Sequence, residues 1–173
     1  GVRVEWLLAE NVPGMTHHDG QHCGDPMRCA GCYLAGVVVP AVRERFAFHD
    51  SAIIDAVDFG VPQHRRRLIL WGGPRAIRWP RPTHHPIGSL FRPWWVSVRE
   101  ALGHAVVGGG TRGRGLAEWR PRLCDDSPAP TVTGFGSTGA LYRPADDGAA
   151  LGPRAAVDEL VILQAFPTDY PAL

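Results

Sequence analysis

The stretch Asp58-Phe59-Gly60-Val61-Pro62-Gln63-His64-Arg65-Arg66-Arg67-Leu68-Ile69-Leu70-Trp71-Gly72 constrains the fold of this 173-residue chain more than any other. Gly60 and Pro62 signal a turn, and the apolar run Leu68 to Trp71, stopped by Gly72 and Gly73, predicts a short buried strand. If the chain is already extended at Gln63, a side-chain period of two sets Gln63, Arg65 and Arg67 on one face. One amide and two guanidiniums in a row suit phosphates and base edges.

Charge is segregated around that stretch. The formal net charge is +1, yet residues 59–122 hold 12 Arg against two acids, Glu100 and Glu118, a local charge of +10. Residues 1–58 come to −4 and residues 123–173 to −5. A basic middle between acidic flanks points to a polyanion partner. With 45% hydrophobic residues the chain is expected to fold as one domain or part of one. No apolar run approaches the roughly 20 residues that span a bilayer, so the expectation is a cytoplasmic protein with no membrane partner. The first residues already read as a core strand with no initiating Met, which suggests a natural beginning elsewhere.

Along the chain, Val2 to Ala9 predicts a buried strand that ends at Glu10-Asn11-Val12-Pro13-Gly14. In an open α/β sheet, ligands sit at the carboxyl ends of strands, which puts Glu10 at the functional edge; the alternative is a solvated Glu in a turn. Met15 to Tyr33 is polar and irregular. Its Cys29-x-x-Cys32 has metal-ligand spacing, and Cys23 with one of His17, His18 and His22 completes a tetrahedral zinc set. The same residues also read as reduced thiols in a loop, since no second C-x-x-C occurs and Cys124 is far away.

Leu34 to Phe48 predicts a helix with Leu34, Val37, Val38, Val42 and Phe46 toward the core, and Pro40 either kinks it or marks a new first turn. Ala52 to Val57 predicts a strand that forms a hairpin with Leu68 to Trp71. From residue 73 to 123, Pro, Gly and Arg are frequent and Trp is interleaved with Arg. Such Trp residues stack on bases or build the core of a loop-rich subdomain; Trp94 and Trp95, beside a short helix over Val96 to Leu102, read as core. Gly108 to Gly115 is a basic loop that either tracks a phosphate backbone or stays disordered.

The central stretch resembles the Q-x-R-x-R motif of cytosine-5 DNA methyltransferases. Three further segments resemble that family in the family's order: Glu10-Asn11-Val12-Pro13-Gly14, Pro128 to Gly136, and the L-Q-x-F-P run of Leu163, Gln164, Phe166 and Pro167 followed by Tyr170. Ala155 and Ala156 depart from the Leu-Thr usual there, and losing the Thr oxygen costs about 1 kcal/mol of helix capping. The resemblance implies an α/β fold: the later strands of a doubly wound S-adenosylmethionine-dependent methyltransferase sheet plus a small irregular target-recognition subdomain. It implies a partial catalytic domain over 1–72, a recognition region over 73–152, and the start of a returning helix over 153–173.

The implied activity is transfer of a methyl group from S-adenosylmethionine to carbon 5 of a cytosine flipped out of duplex DNA, as in bacterial or phage restriction-modification. Glu10 is implied to be the acid at ring nitrogen 3, in a dry pocket, with Asn11, Val12 and Pro13 shaping the loop behind it. Arg67 is implied to reach the base carbonyl and a phosphate, and Arg65 to brace Glu10. Gln63, Thr131 and Val132 are implied to lie against DNA; Thr131-Val132 reads equally well as a bounded β-strand. Gln164, Phe166 and Pro167 are implied to be structural.

The family's F-x-G-x-G cofactor loop and Pro-Cys nucleophile do not occur, since none of Cys23, Cys29, Cys32 and Cys124 follows Pro. The expectation is therefore a fragment of a longer enzyme or one subunit of a split one, inactive alone. A non-catalytic DNA-binding half is the alternative. The tRNA-specific branch of the superfamily carries a Cys-Phe-Thr signature that is absent here.

Overall fold

The computed structural model describes residues 4–18, 20–87, 92–108, 122–131, 141–144 and 151–165. The chain divides into two compact units, residues 1–55 with 66–81, and residues 56–65 with 82–173; the limits expected from the resemblance were 72 and 152.

The first unit is built on a three-stranded sheet of order β1-β3-β2, from β1 (Leu7–Asn11), β2 (Phe48–Asp55) and β3 (Arg66–Gly73). The apolar run makes β3 the central strand, with Leu68, Leu70 and Trp71 each no more than 5% exposed. β3 runs antiparallel to both neighbours, so β1 and β2 point the same way. A helical stretch over residues 30–45 carries the chain from one to the other, a crossover with β3 filling the space between. β2 and β3 form the expected hairpin, longer than the sequence suggested.

The first strand differs from expectation. Among the described residues it covers Leu7–Asn11, starting later and ending later than the expected Val2 to Ala9, whose first two residues lie outside the described residues; the ladder starts at Leu7 opposite Gly72, and β3 ends at Gly73, just before Pro74. Glu10 consequently sits inside a strand instead of beyond its end.

The helical stretch consists of α1 (Ala30–Tyr33), a π turn over Leu34–Val38, and α2 (Val39–Arg45). Pro40 stands in the first turn of α2, where its missing N–H and fixed φ are tolerated. The π turn directly before it changes the face that follows, and Val37, expected in the core, is 41% exposed while Val42 is buried.

The second unit holds a four-stranded antiparallel sheet of order β5-β4-β6-β7, from β4 (Val106–Gly108), β5 (Arg122–Cys124), β6 (Leu141–Pro144) and β7 (Leu151–Arg154). The expectation of an irregular region missed it, since strands of three or four residues are too short to display alternation. The core gathers Val98, Val106, Cys124, Ala129, Leu141 and Leu163, joining the sheet to α3 (Val98–Leu102) and α4 (Val157–Leu163). Ser97 caps α3 by accepting from the Glu100 N–H at 3.1 Å, and Gly103 ends it with a φ of +77°.

Trp94 corrects the core reading, being 66% exposed. Trp95 is half-buried, and its Nε1 donates to Asp58 Oδ1 at 3.1 Å. Val132, Phe166, Pro167, Tyr170 and the loop beyond Gly108 lie outside the described residues. Among the described residues no helix is long and apolar enough to cross a membrane.

Candidate functional site

The β1–β3 ladder sets Glu10 opposite Ile69 and Asn11 opposite Leu68. Side chains directly opposite share a face, and so do residues two apart along one strand; Arg67 is therefore the diagonal neighbour of Glu10. A guanidinium spans that diagonal easily, and Arg67 Nε lies 2.5 Å from Glu10 Oε1. Arg67 also donates from Nη1 to the Arg66 carbonyl at 2.8 Å, which fixes its head.

Two expectations are corrected here. Glu10 is not in a dry pocket: its side chain is 53% exposed, because β1 is the edge of its sheet, whereas that of Arg67 is 20% exposed. Within the first unit the guanidinium that braces Glu10 is that of Arg67, a role the resemblance gave to Arg65, which belongs to the second unit. Arg66 points to the other face of β3, opposite Asp55, and is exposed.

Asn11 shapes the chain immediately after Glu10. Its Oδ1 accepts from the Val12 N–H at 2.8 Å, and a 3-10 turn over Pro13–Thr16 follows with Pro in its first position. Thr16 Oγ1 closes the turn by donating to the Pro13 carbonyl at 2.8 Å. A cleft of about 210 Å³ opens at the same end of the sheet but against its other face, walled by Ala9, Asn11, Leu68 and Leu70 with Tyr33 and Leu34 among others. A larger one of about 530 Å³ lies at the opposite end of the sheet, against Phe46 and Gly73, remote in the ladder from the Glu10–Arg67 pair.

In the second unit the Gly60–Pro62 turn is held by surrounding chain. Gly60 has a φ of +88°, and a Cβ there would meet the His84 ring at 2.7 Å, so the turn requires glycine. The Ala129 N–H donates to the Pro62 carbonyl and the His64 N–H to the Ala129 carbonyl, both at 2.8 Å, which clamps Pro128-Ala129-Pro130 alongside Gln63. Thr131 Oγ1 donates to the His64 carbonyl at 2.5 Å, so its hydroxyl is already committed within the unit. The His64 ring stands edge-on to Trp95, with centroids 4.9 Å apart.

Gln63 departs furthest from the reading as a DNA-facing amide. It is fully buried, and neither its Oε1 nor its Nε2 has a hydrogen-bond partner among the described residues. The bridge to Ala129 encloses it. A buried amide without partners is costly, which makes Gln63 notable whatever its role.

The cysteine-rich loop folds back on itself. His18 Nδ1 lies 3.7 Å from Cys23 Sγ, 3.9 Å from Cys29 Sγ and 3.5 Å from Cys32 Sγ, and the Cys23 and Cys32 sulfurs are 3.8 Å apart. None of the four cysteines forms a disulfide, and Cys124 belongs to the core of the second unit. The Gly24 N–H donates to Cys32 Sγ at 3.1 Å. That contact lowers the pKa of Cys32, but the neighbouring Cys29 and Cys23 thiols and partial burial outweigh it, and the thiol titrates above its ordinary value.

Sequence reasoning missed the pair Glu159–His104. Glu159 is 5% exposed, accepts from the Ala156 N–H at 2.6 Å and lies 2.7 Å from His104 Nε2. It supplies the Glu half of a capping box whose hydroxyl half Ala156 lacks, so the start of α4 is held from the other side. The spacing of Ala156 to Glu159 was the available signal.

No family model matches the chain. Over 84 residues, 47% of its length, it is 34% identical to the type II methyltransferase M.AgeI of Thalassovita gelatinovora, and the matched part amounts to 17% of that protein. By sequence, then, the chain is similar over about half its length to part of a type II methyltransferase.

Proposed function

We propose that this chain is part of a DNA (cytosine-5-)-methyltransferase, contributing the acid and the arginine that act on a flipped cytosine. The observation that carries the reading is the Glu10–Arg67 pair at 2.5 Å: two motifs far apart in sequence meet on adjacent strands as one carboxylate and one guanidinium. Carbon 5 of cytosine becomes nucleophilic only after a thiolate adds to carbon 6. A carboxyl group at ring nitrogen 3 and a guanidinium at the ring carbonyl both favour that addition, the second most strongly as charge builds on the carbonyl oxygen. The preformed pair holds both groups together at one edge of the sheet, on its exposed face. The base leaves the helix to reach it.

Several further features support this reading. The relative is a methyltransferase. The local charge of +10 over residues 59–122 suits a duplex phosphate backbone. Two strands running the same way, joined by a helical crossover, suit the later part of a doubly wound sheet, with the second unit as the recognition region.

S-adenosylmethionine is the methyl donor in this proposal, but the residues present do not fit it. No F-x-G-x-G loop and no Pro-Cys pair occur in the 173 residues, so cofactor and nucleophile belong to another segment, in cis or on a partner subunit.

The test is methyl transfer from labelled S-adenosylmethionine to duplex DNA by the complete enzyme containing this chain, with the product nucleoside identified. 5-Methylcytosine is expected; methyl label on an exocyclic amine of cytosine or adenine refutes the proposal. The 173 residues alone are expected to transfer nothing.

A further inference from the structure

We propose that His18, Cys23, Cys29 and Cys32 are the four ligands of a structural zinc ion. The inference is independent of the DNA reading. A tetrahedron with metal–sulfur bonds of about 2.3 Å and a metal–nitrogen bond of about 2.0–2.1 Å has sulfur–sulfur edges of about 3.8 Å and sulfur–nitrogen edges of about 3.6 Å. The observed edges are 3.8 Å for Cys23–Cys32, and 3.5, 3.7 and 3.9 Å from His18 Nδ1 to Cys32, Cys23 and Cys29. His18, Cys29 and Cys32 offer atoms that all lie within 4.8 Å of one another; Cys23 touches His18 and Cys32 but stands outside that set on its Cys29 side, so it closes the fourth corner when the ion draws it in.

Hydrogen bonding alone does not account for this arrangement. An imidazole nitrogen either donates one proton or accepts at one lone pair, yet three sulfurs surround His18 Nδ1 within 3.9 Å. A common centre explains why one imidazole nitrogen stands against three sulfurs at once.

The backbone around the cluster is built for it. Gly31 lies inside the Cys29-x-x-Cys32 turn, and a Cβ there would come within 2.8 Å of the His17 carbonyl and 2.9 Å of the His18 ring. Only glycine leaves His18 room beside the thiols. The Gly31 N–H donates to the His17 carbonyl at 2.9 Å, tying the histidine segment to the start of α1. The Gly24 N–H points at Cys32 Sγ, as a donor to a thiolate would. Four protein ligands leave no open position, so the site is structural rather than catalytic. The contacts also name the histidine: it is His18 whose Nδ1 stands against all three thiols.

The ion would fasten both sides of the small cleft. On one side it holds the chain leaving the Pro13–Thr16 turn, just after Glu10; on the other it holds α1, whose Tyr33 wall is followed by Leu34.

The experiment is metal analysis and cobalt substitution of the chain purified without chelator. One zinc per chain is expected, and Co²⁺ should give the intense visible bands of tetrahedral cobalt with thiolate charge transfer. Stoichiometric iron, or a weak octahedral cobalt spectrum in the unmodified chain, overturns the proposal without recourse to any variant. Cys23→Ser, Cys29→Ser, Cys32→Ser and His18→Ala should each lose stoichiometric zinc, while Cys124→Ser, His17→Ala and His22→Ala keep it. Retention by His18→Ala together with loss by His22→Ala overturns the ligand assignment. Removing zinc should speed amide exchange at Gly24 and Gly31 while sparing the β2–β3 ladder; unchanged exchange at both glycines overturns the structural role.

Discussion

Replacing Arg67 by Ala separates a catalytic pair from a merely structural one, because the two readings differ in size. The Glu10 side chain is 53% exposed, so when Arg67 is lost its carboxylate rehydrates. Exposed pairs of this kind contribute about 0.2–1 kcal/mol, and Arg67→Ala should cost the fold no more than that. In the complete enzyme, by contrast, turnover should fall by about 10² or more, roughly 2.7 kcal/mol of transition-state stabilisation. DNA affinity should fall with it, since a phosphate contact is lost as well. Glu10→Gln keeps the shape and an oxygen for Arg67; it should lower turnover by about 10² while leaving DNA affinity within a few-fold. The exchanged double variant Glu10→Arg with Arg67→Glu restores an ion pair on the same diagonal, and should recover stability without recovering activity. The assay is single-turnover methyl transfer beside urea unfolding of the same proteins. Arg66→Ala is the internal control, since Arg66 is exposed on the opposite face across from Asp55. If it proves as damaging to turnover as Arg67→Ala, or if Glu10→Gln turns over normally, the reasoning from the ladder is refuted.

Binding of duplex DNA should weaken linearly in log affinity against log salt, by about 0.9 per phosphate contacted, and a flat titration between low and moderate salt refutes the electrostatic role of the basic segment. Glu159→Ala should cost about 2 kcal/mol in urea unfolding, since α4 loses the acceptor of its Ala156 N–H while His104, 39% exposed on its side chain, rehydrates. Glu159→Gln keeps that acceptor and should cost about half as much; equal losses would contradict the capping role. Gln63→Leu should stabilise the chain by about 1–2 kcal/mol, because it removes an amide that is buried without partners among the described residues. A measured destabilisation would mean that the amide has a partner after all.

The sequence was most legible where a local signal and a tertiary consequence coincide. Leu68 to Trp71 is apolar without alternation, which a strand tolerates only when both faces are covered, and it became the central strand. Pro40 was correctly placed at a discontinuity, for it has no N–H to give. What Pro40 could not reveal was the π turn just before it, which exposed Val37; side-chain period alone does not register a slip of one residue. The short strands of the second unit, three or four residues each, fall below the length at which alternation is distinguishable from chance. Trp94 failed for a related reason: an aromatic beside a helix start has no periodicity of its own to say which way it faces.

For the site, the residue types were legible and their pairing was not. A carboxylate in E-N-V-P-G and guanidiniums in Q-x-R-x-R announce charge at two places, but which arginine meets Glu10 is decided by register. β3 runs out at Gly73, before Pro74, and the observed register pairs Leu7 with Gly72 and hence Glu10 with Ile69. A shift of one residue would have turned Arg66 toward Glu10 and Arg67 away. The histidine of the thiol cluster was hidden for the same kind of reason: three histidines stand near three cysteines in sequence, and it is the His18 ring that fills the gap Gly31 leaves beside the His17 carbonyl. Glycine at that position carries no chemistry of its own, yet it selects the ligand. In both places the chemistry is written in the reactive residues, while the geometry that joins them is set by neighbours with no reactive group: a proline that ends a strand, and a glycine that leaves a gap.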